Sequence, residues 1–159
     1  MLDLIFAIKF VHVLAAAAMF GGWLTLAIFM LLAHRSGNTS VVALTARFVV
    51  RVEFLVVAAA VALQPLSGLP LAWAIGLSPF GESWLVMSMP LYAAILACWL
   101  VALRIEIRIR DFSRDAALNG VPLDAAYRRL FRAWCLWAGP LLAGMVAVFA
   151  LMIWQPRFD

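Results

Sequence analysis

Four uninterrupted apolar runs decide what this chain can fold into. They cover roughly residues 4–33, 49–75, 84–103 and 133–154. A helix needs about 20 apolar residues to cross the hydrocarbon core of a bilayer, and each run reaches that length. Inside a bilayer every backbone N–H and C=O must be paired by the protein itself, which leaves helices and closed barrels. A barrel strand alternates apolar and polar residues, whereas these runs are continuously apolar. The sequence therefore predicts an all-α integral membrane protein, a four-helix transmembrane bundle. One domain is expected over 1–159, with helices at roughly 4–33, 49–75, 84–110 and 122–154.

Composition agrees. Hydrophobic residues make up 67% of the chain and charged residues 13%, against about half and about a quarter in a soluble domain. The mean hydropathy is +1.06. A chain of 159 residues with these spans has no room for a soluble catalytic module. The first run is far longer than a signal-peptide core and lacks a basic start and a small-residue cleavage site, so it reads as a retained spanning helix.

The sequence pI of 9.8 comes from arginines that cluster around two loops. Arg35, Arg47, Arg51, Arg104, Arg108, Arg110, Arg114, Arg128, Arg129 and Arg132 fall on one side; Lys9 and Arg157 fall on the other. This is the cytoplasmic-loop bias of a bacterial inner-membrane protein rather than a nucleic-acid surface. It places the loops between helices one and two and between helices three and four in the cytoplasm, and both termini in the periplasm.

Several local expectations follow. The polar stretch 34–40 breaks helix one from helix two, and Ser78-Pro79-Phe80-Gly81 marks a short turn. Arg104 to Arg110 continues helix three as a helical stalk, with a Glu106–Arg110 pair. Asn119-Gly120 stops it, and Pro122 and Asp124 suit the next first turn. Glu53 is expected to pair with nearby arginines, and His34 to sit solvated at the interface. Trp84, Trp134 and Trp154 read as interfacial anchors. Gly139 and Ala143 read as a packing pair, and Cys98 and Cys135 as small buried hydrophobes.

His12 is the residue with most to say about function. An imidazole at membrane depth is costly unless it pairs, ligates or titrates. Ala15, Ala16, Met19, Gly22 and Trp23 follow it on one helical face, leaving room for a flat ligand or for close helix packing. Counting inward from the same membrane surface puts Gln64, Ser67, Met89 and Tyr92 in its layer, together with Pro65, Pro70 and Pro90. Three readings stay open: a haem ligand, a structural hydrogen bond, or a ligand to another metal. In the haem reading Met89 is the candidate weak axial ligand and Lys9 a partner for a propionate, although Lys9 also suits snorkelling. A copper reading recruits Met19, Met87, Met89 and Cys98, because soft ligands suit Cu(I).

The order Lys9-Phe10-Val11-His12-Val13, Phe20-Gly21-Gly22, Gln64-Pro65-Leu66-Ser67-Gly68, Trp84-Leu85, Arg104 to Arg110 and Tyr127 to Pro156 resembles an uncharacterised family of predicted integral membrane proteins, domain of unknown function 2269. That family is distantly similar to the copper-resistance D-type membrane proteins and to the J-type membrane protoporphyrinogen oxidases. The J-type proteins bind b-type haem through a His in helix one, and the matching position is His12. They also carry an Arg further along helix one, where this chain has Ile28, and a Lys on a later helix, whereas Lys9 is the sole lysine here. The resemblance thus implies haem b at His12 more directly than it implies oxidase chemistry.

The expected function is membrane redox, electron transfer through haem b with a quinone or another redox partner. A protoporphyrinogen oxidase-like enzyme and a cofactor-free accessory subunit of a larger membrane complex are the alternatives. The lipid bilayer is a partner in each case, and oligomerisation is open. No nucleophile–base pair, phosphate loop or HExxH pattern is present, which argues against hydrolytic chemistry.

Overall fold

The computed structural model describes residues 2–156, and these are helical with short connections. Arg157, counted above on the periplasmic side, lies outside them. Helix α1 is Leu2–Ser36, α2 is Thr39–Val52, α3 is Ala58–Ala74, α4 is Ser83–Leu118 and α5 is Ala125–Trp154. Between α2 and α3 lies a π turn, Glu53–Val57. The backbone stays helical from 39 to 74, so α2, the π turn and α3 form one rod. Four rods thus stand side by side, with neither strands nor disulfides among the described residues.

Helices α1, α4 and α5 are each long and apolar enough to cross a membrane. Their outward faces suit lipid: Phe6, Phe10, Val13 and Leu14 on α1 and Val146 and Ile153 on α5 are exposed. In water such a surface would be an aggregation site. The rod 39–74 differs, because its first part is amphipathic. Val42, Ala46, Val49 and Val50 are buried while Arg47 and Arg51 are exposed.

The ends of the helices follow from local chemistry. Gly37 and Gly120 adopt φ of 64° and 65° just beyond α1 and α4, the left-handed conformation that lets a helix close without a Cβ clash. Asn38 caps α2, its Oδ1 accepting from Ser40 N at 2.9 Å and Val41 N at 3.2 Å. Asp124 caps α5 in the same way, accepting from Ala126 N at 2.7 Å and Tyr127 N at 3.1 Å. Helix two therefore begins ten residues before the apolar run, because its first three turns are amphipathic rather than apolar. The stalk after residue 104 is helical as expected and runs on to Leu118.

The described arginines gather at one end of the bundle, and Lys9 lies toward the other. At the basic end α2 packs on α4, and α4 on α5. Gly144 allows α5 to approach α4 closely, since a Cβ there would lie 2.8 Å from Ile95 Cγ1. Gly139 has open space where its Cβ would be, and Ala143 is exposed. The packing pair on α5 expected at 139 and 143 is therefore corrected to a single contact at Gly144. Cys98 is half-buried, but Cys135 is exposed on the outside of α5, so only the first packs inside.

Candidate functional site

Near the end away from the arginines, the four rods part to leave a half-open cavity of about 260 Å³. His12 and Met19 enter it from α1, Gln64 from α3, Met89 and Tyr92 from α4, and Met145 and Met152 from α5. Counting residues put Gln64, Met89 and Tyr92 at the level of His12, and helical phase put Met19 on its face; the fold brings all five to one cavity. Met145 and Met152, which were not among the expected ligands, join them. Met87 is exposed, and neither Met87 nor Cys98 lines the cavity. Lys9 is exposed, one turn further toward the helix end, and does not line it either.

Ser67 does not line the cavity but holds the imidazole in place. His12 Nδ1 lies 2.9 Å from Ser67 Oγ. The Ser67 hydroxyl also points at the Leu63 carbonyl at 2.5 Å, the shorter of its bonds. A hydroxyl has one proton to donate. With that proton on Leu63 O, Ser67 Oγ accepts from His12 Nδ1–H. This assigns the Nδ1–H tautomer, and Nε2 then carries the free lone pair. Nε2 has no hydrogen-bond partner among the described residues. An imidazole that donates from one nitrogen and offers the other is the usual state of a metal-ligating histidine.

Gly68 supplies the space. A Cβ at that position would lie 3.0 Å from His12 Cε1 and 3.5 Å from Nδ1. The Cε1 edge of the ring faces the α3 backbone, and a side chain at 68 would push it off. Gln64 adds a second tie between the same helices, its Nε2 donating to the His12 carbonyl at 3.2 Å.

Pro65 explains Tyr92. Proline lacks the N–H that would bond to the carbonyl four residues earlier, so the Val61 carbonyl is freed. The Tyr92 hydroxyl donates to Val61 O at 2.6 Å, from α4 across to α3. A backbone group left without a helical partner in an apolar setting is thereby satisfied by a neighbouring helix.

The basic half of the bundle holds a second set of polar groups, and here the sequence expectations need correction. Glu53, at the start of the π turn, is fully buried and accepts from Trp99 Nε1–H at 2.8 Å. Glu106 is 2% exposed and accepts from Trp134 Nε1–H at 2.8 Å. The one salt bridge among the described residues is Arg110 to Asp111 at 2.8 Å. Glu53 therefore does not pair with an arginine, and Glu106 does not pair with Arg110. Trp134 is a buried hydrogen-bond donor rather than an interfacial anchor; Trp84 is also buried, and Trp154 is exposed. Each glutamate keeps one oxygen, Glu53 Oε1 and Glu106 Oε2, with no partner.

A signal for both glutamates was present. Trp99, Ala102, Leu103, Glu106, Ile109 and Ser113 recur at helical spacing on α4, and all are buried. Val42, Ala46, Val49, Glu53, Val57, Ala60 and Gln64 do the same along the rod 39–74. Phase along the helix puts both carboxylates inside, whereas proximity in sequence suggested arginine partners.

His34 is partly exposed but not free. Its ring stacks on Phe131 with centroids 3.7 Å apart and planes 9° apart, and its Nδ1 lies 3.0 Å from the Tyr127 hydroxyl. Its role is to fasten α1 to α5 at the basic end, far from the cavity. No cluster of three His, Cys, Asp or Glu side chains capable of holding a metal occurs among the described residues. A metal at this site would thus rely on His12 and thioethers.

No curated protein and no solved structure matched the chain. A family model described as predicted integral membrane protein (DUF2269) matches residues 6–156. That span includes both the His12 cavity and the buried glutamates, and the chain belongs to this family of integral membrane proteins.

Proposed function

We propose that this protein is a membrane redox protein that binds b-type haem through His12 Nε2. The observation that carries the reading is the hydrogen-bond chain from His12 Nδ1 through Ser67 to the Leu63 carbonyl. It leaves Nε2 free on a residue that lines a membrane-level cavity. A structural histidine would be expected to use both nitrogens or to keep the second one packed away.

The residues present suit the iron-binding part of such a group. His12 supplies the imidazole, Gly68 gives it room, and Met89 offers a thioether in the same cavity. At about 260 Å³ the cavity lies below the usual range for organic ligands of about 300–1,000 Å³. A tetrapyrrole therefore requires the lining to yield, and unbranched Met89, Met145 and Met152 are the side chains best able to do so. Lys9 lies near the helix end as a partner for an acidic edge. When bound, haem supplies one-electron exchange, with its potential set by axial ligation and burial. The protein's own residues orient the ligand, exclude water and leave the outer cavity wall apolar for a quinone.

In this reading all four rods cross the membrane, including the rod 39–74, whose apolar length lies beyond the π turn. The arginine asymmetry puts the basic end in the cytoplasm of a bacterial cell and the His12 cavity near the periplasmic surface.

A second reading has its own observation. Four thioethers, those of Met19, Met89, Met145 and Met152, line the cavity with His12. Soft ligands around one imidazole suit Cu(I), and a single ion fits the cavity without displacement. The visible spectrum of the purified protein, oxidised and reduced, separates the two. Haem gives a Soret band and sharpened bands on reduction. A colourless protein that retains one copper per chain replaces haem with the copper reading, and a colourless protein that retains neither rejects both.

A further inference from the structure

A large concavity lies at the other end of the bundle and is independent of His12. It is a groove of about 1110 Å³ between α2 and α4. Arg47 and Arg51 line it from α2, and Arg110 and Arg114 from α4. Each pair is spaced four residues apart, so like charges face each other along one helix, which costs a few tenths of a kcal/mol per pair. The single acid in the lining, Asp111, is already bound to Arg110. Arg47, Arg51 and Arg114 make no salt bridge among the described residues. Two helices therefore aim four guanidinium groups at one space and supply little negative charge to balance them.

The wall beyond the arginines is apolar. Phe54 and Leu55, 54% and 70% exposed, lie one turn further along the rod toward the spanning part. They face outward because the π turn that begins at Glu53 carries the glutamate inward. A groove basic at the membrane surface and apolar toward the hydrocarbon matches a molecule with an anionic head and acyl chains. A free anion would use the arginines and leave Phe54 and Leu55 uncovered.

We propose that this groove binds an anionic diacyl phospholipid of the adjoining leaflet, its phosphate held by Arg47, Arg51 and Arg114 and its chains lying on Phe54 and Leu55. Basic pockets between spanning helices are a recurrent form of lipid headgroup site. Bound lipid would clamp α2 to α4 just where Glu53 and Glu106 are buried.

The test is native mass spectrometry of the full-length protein, stripped of lipid in detergent. Phosphatidylglycerol, phosphatidylethanolamine with the same chains, or inorganic phosphate is then added. The expected result is one retained phosphatidylglycerol, preferred over phosphatidylethanolamine by about tenfold. The triple variant Arg47→Gln, Arg51→Gln, Arg114→Gln should weaken retention on the order of a hundredfold, at about fivefold per arginine. Arg104→Gln with Arg108→Gln, on α4 but outside the groove, should change it by less than about twofold. All three groove arginines are exposed, so their loss should leave the fold intact. If the triple variant aggregates, Arg51→Gln alone carries the test with a loss of about fivefold. Equal retention of phosphatidylethanolamine, an equal loss in the Arg104 and Arg108 control, or displacement of lipid by inorganic phosphate would each overturn the proposal.

Discussion

At the end away from the arginines, Gln64, Ser67 and Tyr92 are tied to backbone carbonyls one helix away or less, and His12 is tied to the Ser67 hydroxyl. At the basic end, Glu53 and Glu106 depend on indoles from neighbouring helices and still leave one oxygen each without a partner. The His12 group borders a cavity, whereas the basic group sits in close packing beside Val49, Ala102, Leu103 and Ile109. A polar side chain that meets the backbone through short bonds can hold one face toward an empty space. A carboxylate held by a single indole in a packed core stabilises one arrangement of helices and offers nothing outward. In the proposed reading the two halves bury polar groups for different ends, ligand binding in one and helix registration in the other.

Four substitutions separate these roles. Gly68→Val has the largest expected effect. A branched side chain 3.0 Å from His12 Cε1 displaces the ring, and bound haem or copper should be lost almost entirely while the protein still inserts. Retained cofactor in this variant would mean that His12 does not need its observed position. Ser67→Ala comes next. It removes the acceptor that fixes the Nδ1–H tautomer, and affinity for the bound metal group should fall about 10- to 100-fold. No change would show that the tautomer is set elsewhere.

Trp134→Phe acts on the other half. Glu106 loses its one donor, and stability in detergent should drop by about 1.5–3 kcal/mol, read as a lower unfolding midpoint. Cofactor content should stay at the wild-type level. If content falls in step with stability, the two halves are coupled and the comparison fails. The smallest effect is expected from Tyr92→Phe, which leaves the Val61 carbonyl without its partner. A loss of about 1 kcal/mol is expected, with the His12 site otherwise working. A much larger effect on cofactor content would make Tyr92 part of the binding site rather than a splint for the Pro65 bend.

The His12 half was legible in the sequence because it has one anchor. A lone histidine in a spanning run fixes a depth, and helical rise carries that depth to Gln64, Met89 and Tyr92. Prolines at the same level mark where carbonyls are freed and need partners. The basic half was misread because nearby arginines are obvious partners for Glu53 and Glu106, while the actual partners, Trp99 and Trp134, are 46 and 28 residues away. Helical phase held the correct answer, since both glutamates recur in step with buried residues. The π turn was not legible, because no residue type requires one. The amphipathic start of the second rod was missed for a related reason: hydropathy finds the lipid-facing stretch and passes over a helix with one polar face.

The central claim is that His12 offers Nε2 to a metal at the end of the bundle away from the arginines. It is tested most directly by the reduced-minus-oxidised absorption spectrum of wild type beside His12→Ala, both purified from cells supplied with haem. The account predicts a Soret band and reduced α band in the wild type, and loss of most of that absorbance in the variant at equal yield of inserted protein. An unchanged spectrum in His12→Ala would contradict it.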